Sequence, residues 1–246
     1  MRKNPNKNLI MRIFTGIRIQ GPVRSVVMSF AVLAVSACSP DRSVTWEIDN
    51  LEKIGGHPVE VIGDPQVVDT GSGKAVEFDG NGDQLFVDCN PIGDARAFTV
   101  EVVFKPHASY PRNTAPRFIH IQDPGDKDGK RLMIELRINH NNQCYLDAFL
   151  QTDSDELTLV DSSLVHPTEQ WLRAAVVYSD SVLSTYINGE KELSGHVGFS
   201  EKVINPTGKT SIGGRMNHVA WFNGQVRYLK VTPRALDPED FMQIND

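Results

Sequence analysis

The 246-residue sequence has only three cysteines, at 38, 89 and 144, and contains neither a CxxC pair nor an HExxH run. A structural or catalytic zinc site therefore has no support in the sequence. No apolar stretch reaches the roughly 20 residues that a membrane-spanning helix requires. Internal repeats and low-complexity linkers are missing too, as is any sustained 3.6-residue period, which rules out solenoids and helical bundles. Acidic residues are absent from the first 37 positions, where Arg2, Lys3, Lys7, Arg12, Arg18 and Arg24 stand.

That basic segment leads into the short apolar stretch Val26–Val32 and ends on Val35-Ser36-Ala37-Cys38. A basic region, an apolar region and small residues before a cut mark a secretory signal peptide, with Met1 or Met11 as its start. An aliphatic residue three before a cysteine, with small residues between, resembles the lipobox of bacterial lipoproteins. The resemblance implies cleavage before Cys38, lipidation of its thiol and acylation of the new amino terminus. Ser39 stands where an Asp would resemble an inner-membrane retention signal, so the outer membrane is the expected location. Three acyl chains anchor far more firmly than one myristoyl group. The expected organisation is a leader at 1–37, a lipidated tether at 38–42 and one domain at 43–246. The full chain carries 25 basic and 31 acidic residues; without the six basic ones of the leader it carries 19 and 31, a net charge of −12. Such a surface offers no basic stripe to a phosphate backbone, which excludes nucleic acid as the expected partner. Cys89 and Cys144 can be two thiols or one disulfide, since two cysteines do not make a framework.

From residue 75 onward, short β-like runs alternate with turn chemistry. The runs are Ala75–Phe78, Gln84–Asp88, Phe98–Lys105, Arg117–Gln122, Leu132–Asn139, Cys144–Leu150, Leu157–Val160, Trp171–Tyr178, Leu183–Ile187, Lys209–Ile212 and Gly224–Val231. The turns include Asp-Gly-Asn-Gly-Asp at 79–83, Asp-Pro-Gly-Asp-Lys-Asp-Gly at 123–129 and Asn-Pro-Thr-Gly at 205–208. Phe98, Val100, Val102 and Phe104 share one strand face. Residues 171–178 are apolar on both faces, as in a strand central to a sandwich. The only helical pattern is Asp237–Ile244. The order of the runs resembles the LamG-like, concanavalin A-like lectin/glucanase domains. Ala75-Val76-Glu77-Phe78-Asp79-Gly80 leading to Leu85-Phe86-Val87 is similar to their opening hairpin. Trp171 to Tyr178 followed by Tyr186-Ile187-Asn188-Gly189 is similar to a later one, and Ser211 to Gly214 with Phe222 to Val226 resembles the closing strands. The implied fold is all-β: a two-sheet antiparallel jelly-roll sandwich with a short C-terminal helical turn. That fold hosts lectins, glycosidases, lyases and adhesion modules, so it does not by itself choose a function.

Strand alternation places Met133, Glu135, Arg137 and Asn139 on one face of their run, Phe118, His120 and Gln122 on one face of theirs, and Tyr145, Asp147 and Phe149 on a third. If the three runs form a meander, His120, Gln122, Glu135, Arg137, Asn139, Tyr145 and Asp147 converge. This face can be a carbohydrate groove, or cross-strand Arg–carboxylate pairs that fix register. A second cluster, Gly213 to Phe222, offers Arg215 and Asn217 as planar donors. Trp221 there is either a sugar-stacking platform or a core filler.

Two enzymatic patterns also occur. Glu47, Asp49 and Glu52 have the E-x-D-x-x-E spacing of laminarinase-type glycoside hydrolases, which use a carboxylate pair on one strand. Glu135-Leu136-Arg137, Ile119-His120 and Tyr145-Leu146-Asp147 resemble strands of alginate-lyase-like jelly rolls. That resemblance implies His120 and Tyr145 as base and acid, beside Glu135, Arg137 and Asp147. No cofactor is expected; Asp79, Asn81 and Asp83 begin an EF-like calcium pattern without its Gly or twelfth-position Glu, and Asp123, Asp126 and Asp128 form another oxygen-rich loop. The functional expectation is a lipid-anchored envelope protein that binds polysaccharide. The alternatives are a glycoside hydrolase or lyase using the polar face, and a non-catalytic adhesion or structural protein.

Overall fold

The structure, a computed structural model, describes residues 43–126, 129–198 and 203–243. The leader, Cys38 and the tether lie outside them. Among the described residues no helix is long and apolar enough to cross a membrane.

The described chain forms β1 (Val44–Glu47), β2 (Lys53–Ile54), β3 (His57–Ile62), β4 (Gln66–Asp69), β5 (Lys74–Asp79) and β6 (Gln84–Val87). Then follow β7 (Phe98–Pro106), β8 (Arg117–Gln122), β9 (Arg131–Ile138), β10 (Gln143–Gln151), β11 (Glu156–Val160) and β12 (His166–Pro167). The last are β13 (Leu172–Ser179), β14 (Val182–Ile187), β15 (Glu190–His196), β16 (Lys209–Ile212) and β17 (Asn223–Thr232). One sheet runs β15-β14-β13-β7-β17-β5-β4, with β1 also against β17. The other runs β11-β10-β9-β8-β16-β6-β3-β2, with β12 against β10. This is the all-β, two-sheet sandwich that the alternation of runs and turns predicts.

The sheets meet through alternating inward residues, and four phenylalanines tie them together. Phe104 of β7 stacks on Phe118 of β8 with ring centroids 4.5 Å apart, and Phe118 lies 5.4 Å from Phe222. Phe78 of β5 reaches Phe222 at 6.4 Å. All four rings are fully buried, so each contributes roughly 1.5–3 kcal/mol by leaving water.

Phe118 corrects the simple alternation. It does not share the polar face with His120 and Gln122. In the pairing of β8 with β9, Arg117 lies opposite Glu135 and Ile119 opposite Ile134, so two steps on β8 match one on β9. This β-bulge lets Phe118 and Ile119 both enter the core, and it turns Arg117 outward.

Over β7, β13 and β14 the outer face of the first sheet is covered by the chain's own C-terminal segment. Leu236 and Phe241 form a small cluster with Ala175, Val177 and Tyr186. Thr99 Oγ1 donates to the Arg234 carbonyl and accepts from the Leu236 amide, each at 3.0 Å. The buried Glu101 accepts the Met242 amide at 2.5 Å and faces Lys230 at 3.4 Å. This cover explains why β13 is apolar on both faces. The segment is extended, with one 3-10 turn at Pro238–Asp240; Leu236 and Phe241 reach the sheet from opposite sides of that turn.

Two further expectations change. Glu47, Asp49 and Glu52 do not lie along one strand, because β1 ends at Glu47 and the Asn50 side chain accepts the amides of Glu52 (3.0 Å) and Lys53 (2.8 Å) in a turn. The paired-carboxylate geometry of a laminarinase is therefore not formed there. Cys144 is a buried free thiol, so it does not bridge to Cys89, and burial pushes its pKa up to about 12.

Removing the ring that joins the sheets should be costly. Phe118→Ala is expected to destabilise the domain by about 3–5 kcal/mol, read as a lower midpoint in chemical denaturation with an unchanged slope. A loss below about 1 kcal/mol would contradict this packing.

Candidate functional site

With β7, β13 and β14 of the first sheet covered, the outer face of the second sheet brings polar side chains from three consecutive strands together. The pairing of β8, β9 and β10 forms the expected meander, with Tyr145 opposite Arg137 and Asp147 opposite Glu135. His120, Gln122, Glu135, Arg137, Tyr145 and Asp147 therefore share this face. Asn139 lies just beyond β9, where its side-chain oxygen accepts the Asn141 and Gln143 amides at 2.9 and 3.0 Å and closes the β9–β10 turn.

Across the face runs a ladder of opposite charges. Arg117 Nε donates to Glu135 Oε1 at 2.7 Å. Arg137 Nε donates to Asp147 Oδ2 at 2.7 Å, and its Nη2 sits 3.7 Å from Glu135 Oε2. Both carboxylate side chains are almost wholly buried, at 3% and 1% exposure, whereas Arg137 is 33% exposed. Burial raises the Glu135 pKa and Asp147 adds to the rise, against the pull of Arg117 and Arg137. Removing one member of such a ladder leaves a buried charge alone, which typically costs about 3–5 kcal/mol. Tyr145 is half-buried, and its hydroxyl has no partner among the described residues. A guanidinium edge and a phenol thus stand side by side at the solvent end of a fixed charge ladder.

The neighbouring part of the face is closed by the loop from Gly213 to Phe222. Gly213 adopts φ +88°, and a Cβ there would collide with the Phe78 ring. The loop then turns back over the sheet. Met216 donates its amide to His120 Nδ1 at 2.9 Å, and Gln84 donates to the Arg215 carbonyl at 2.8 Å. With Nδ1 accepting, the ring proton of His120 resides on Nε2, which is buried without a partner among the described residues. Burial first, then the charges of Arg215, Arg131 and Arg117, push the His120 pKa down to about 3, so the ring is neutral. Gln122 donates to the Asp126 carbonyl at 2.5 Å. Arg215 is half-exposed and Asn217 exposed. Trp221 is half-buried beside Gly214, while its neighbour Phe222 fills the core. Sequence reasoning missed Arg117; its signal was the adjacent Phe-Ile pair, which interrupts a strict polar–apolar alternation.

The oxygen-rich loops hold themselves together. Asp83 accepts the Asp64 and Asp79 amides at 2.7 and 3.0 Å, and Asp79 accepts the Asn81 amide at 2.7 Å. Asp123 accepts the Gly125 amide and the Thr207 hydroxyl, each at 2.9 Å. Asp128 lies outside the described residues. Among those residues no three His, Cys, Asp or Glu side chains gather to hold a metal.

These strands and loops agree with a family-wide sequence profile that matches residues 79–241, that of the concanavalin A-like lectin/glucanases superfamily. The chain belongs to that superfamily. Among solved structures, the fourth domain of the extracellular arabinanase AbnA from Geobacillus stearothermophilus, in complex with arabinotriose, superposes with a TM-score of 0.60 at 17% identity, over 80% of this chain and 94% of that domain. The binding domain of Paraclostridial mosquitocidal protein 1 gives 0.58 at 16% identity, over 82% of this chain and 51% of the other. A structure of botulinum neurotoxin type C, whose cell entry depends on two ganglioside molecules, gives 0.54 at 16% identity, over 82% and 50%. At these identities the likeness is one of fold, and the chain spans about half the length of the toxin domains. A search of curated protein sequences finds no significant match.

At the β9–β10 end of the sandwich, His107 clasps the loop between β7 and β8. Its Nε2 meets Glu77 at 2.9 Å and its Nδ1 meets Glu169 at 2.8 Å. The other Glu169 oxygen accepts the Ala108 amide at 2.8 Å. The Glu77 pKa is lowered, first by the hydrogen bond from Gln225 and then, against burial, by His107. Burial raises that of Glu169, but the Ala108 amide and His107 outweigh it and the net direction is down. Depressed carboxylates stabilise the fold above their ordinary range, and the contribution disappears as pH falls through the lowered values. The amides of residues 107–110, 112 and 113 should therefore lose hydrogen-exchange protection below about pH 4, before β13 does, and His107→Ala should expose them at neutral pH. Unchanged protection of the loop in that variant would contradict the clasp.

Proposed function

We propose that the protein is a non-catalytic carbohydrate-binding module, tethered by lipid on Cys38 to the outer membrane, that binds polysaccharide on the outer face of its second sheet. The observation that carries this reading is the state of the polar groups on that face. His120, the imidazole that β8 places among them, is neutral, buried and already accepts the Met216 amide. The carboxylates of Glu135 and Asp147 are held by Arg117 and Arg137. Groups so engaged are poor proton shuttles, but they fix a guanidinium and a phenol in place for a ligand. Sugars suit such a pair, because their hydroxyls bond planar donors while their C–H faces pack on aromatic rings. The arabinotriose complex of the arabinanase domain supports a carbohydrate partner for this fold. The acidic mature chain and the lipobox support an envelope surface, where polysaccharides are the abundant polymers.

A hydrolytic reading has one observation in its favour: Glu135 and Asp147 are directly opposed in register and the Glu135 pKa is raised. A polysaccharide array read for both retention and released product separates the two. The binding module retains a polymer and releases nothing, whereas reducing-end release lost in Glu135→Gln would establish the enzyme. Tyr145→Ala should weaken retention by roughly tenfold or more, about 1.4 kcal/mol, without lowering the denaturation midpoint. Undiminished retention would remove this face from the account. The tether is tested separately: Cys38→Ala should abolish palmitate labelling, and labelling that persists would overturn it.

A further inference from the structure

The loop held by His107 borders a cleft of about 440 Å³ that the sheet-face reading does not use. Three loops form it: the β5–β6 turn, the β7–β8 loop and the chain entering β17. Its polar lining is Asp79, Asn81, Ser109, Arg112, Asn113 and Asn223, and the rest of the lining is Gly80 and Ala108. The walls are pre-organised. Asp83 binds the amides at 64 and 79, Ser109 donates to the Asn113 carbonyl at 2.6 Å, and Asn113 donates to the Trp221 carbonyl at 2.6 Å. Gly80, at φ +75°, brings its loop so close that a Cβ would lie 2.8 Å from Asn223 Cβ and 3.0 Å from Asn113 Nδ2.

Within these braced walls the side chains of Asn81, Arg112 and Asn223 have no partner among the described residues. Each carboxamide offers both donors and acceptors, which is what a hydroxyl requires. The one carboxylate and the one guanidinium balance, so neither an anion nor a cation is favoured. No side chain larger than alanine supplies an apolar wall, which excludes a hydrophobic ligand. Tyr110, 46% exposed, lies in the same loop between Ser109 and Arg112.

We propose that this cleft is a second carbohydrate site, for one uncharged sugar unit such as a chain terminus. It rests on the reading of the protein as a glycan binder but uses different residues. The test titrates the isotopically labelled full chain, in detergent, with free D-glucose, D-galactose, L-arabinose and N-acetyl-D-glucosamine, and with D-glucuronate as the charged counterpart. The expected result is saturable movement of the Asn81, Asn113 and Asn223 side-chain amide signals with at least one neutral sugar and none with glucuronate. Asn223→Ala and Arg112→Ala should each weaken that sugar at least tenfold, while Tyr145→Ala leaves it unchanged. The proposal is overturned if no neutral sugar moves these signals, if glucuronate alone does, or if both cleft variants still bind. Tyr145-dependent polymer retention with a silent cleft would sink this site alone. Sugar-dependent shifts without polymer retention would instead support the cleft and sink the sheet-face site.

Discussion

The extra residue in β8 is the constraint on which the candidate surface depends. Strict alternation from His120 and Gln122 would put Phe118 in solvent and Arg117 in the core. The bulge reverses both assignments. Phe118 becomes the ring that joins the sheets, between Phe104 and Phe222. Arg117 becomes the guanidinium that hydrogen-bonds the buried Glu135 at 2.7 Å, closer than Arg137 on its other side. Core packing and surface electrostatics are thereby set by one local irregularity, as bulges near functional surfaces commonly do.

The sandwich is asymmetric in how it treats its two outer faces. Over β7, β13 and β14 the first is closed by the C-terminal segment, whose Leu236 and Phe241 add a small apolar cluster over β13 and β14. The second is only partly closed, by the loop over His120 and Gln84. The β9–β10 strip, where Arg137 and Tyr145 are adjacent across the pairing, lies beyond that loop and stays accessible. The loops that meet at that end also enclose the polar cleft, so both candidate surfaces lie on loops and strands that rigid packing holds.

Much of this was legible in the sequence. The core strands were readable from period-2 alternation and turn residues, and the meander of β8, β9 and β10 followed from three consecutive runs. The convergence of His120, Glu135, Arg137, Tyr145 and Asp147 came from the same alternation. Strands toward the sheet margins were less legible: β15 is rich in charge and β3 has no fully buried residue, so the burial pattern that marks a strand is missing. The burial of His120 could not be read, because it depends on a loop almost a hundred residues later folding back over it. The cleft was hidden for a similar reason, since its residues come from three distant turns with no shared period. The apolar outer side of β13 did carry a signal, but the segment that covers it lies some sixty residues further along the chain, with no shared period to connect the two.

The central claim is that the accessible strip of the second sheet is the surface that meets polysaccharide. Hydrogen exchange of the protein with and without a retained polymer tests it most directly. Protection should rise across Arg131–Gln151 and stay unchanged in β13 and β14 of the covered sheet. Protection confined to the first sheet, or absent from β9 and β10 at saturating polymer, would contradict the account.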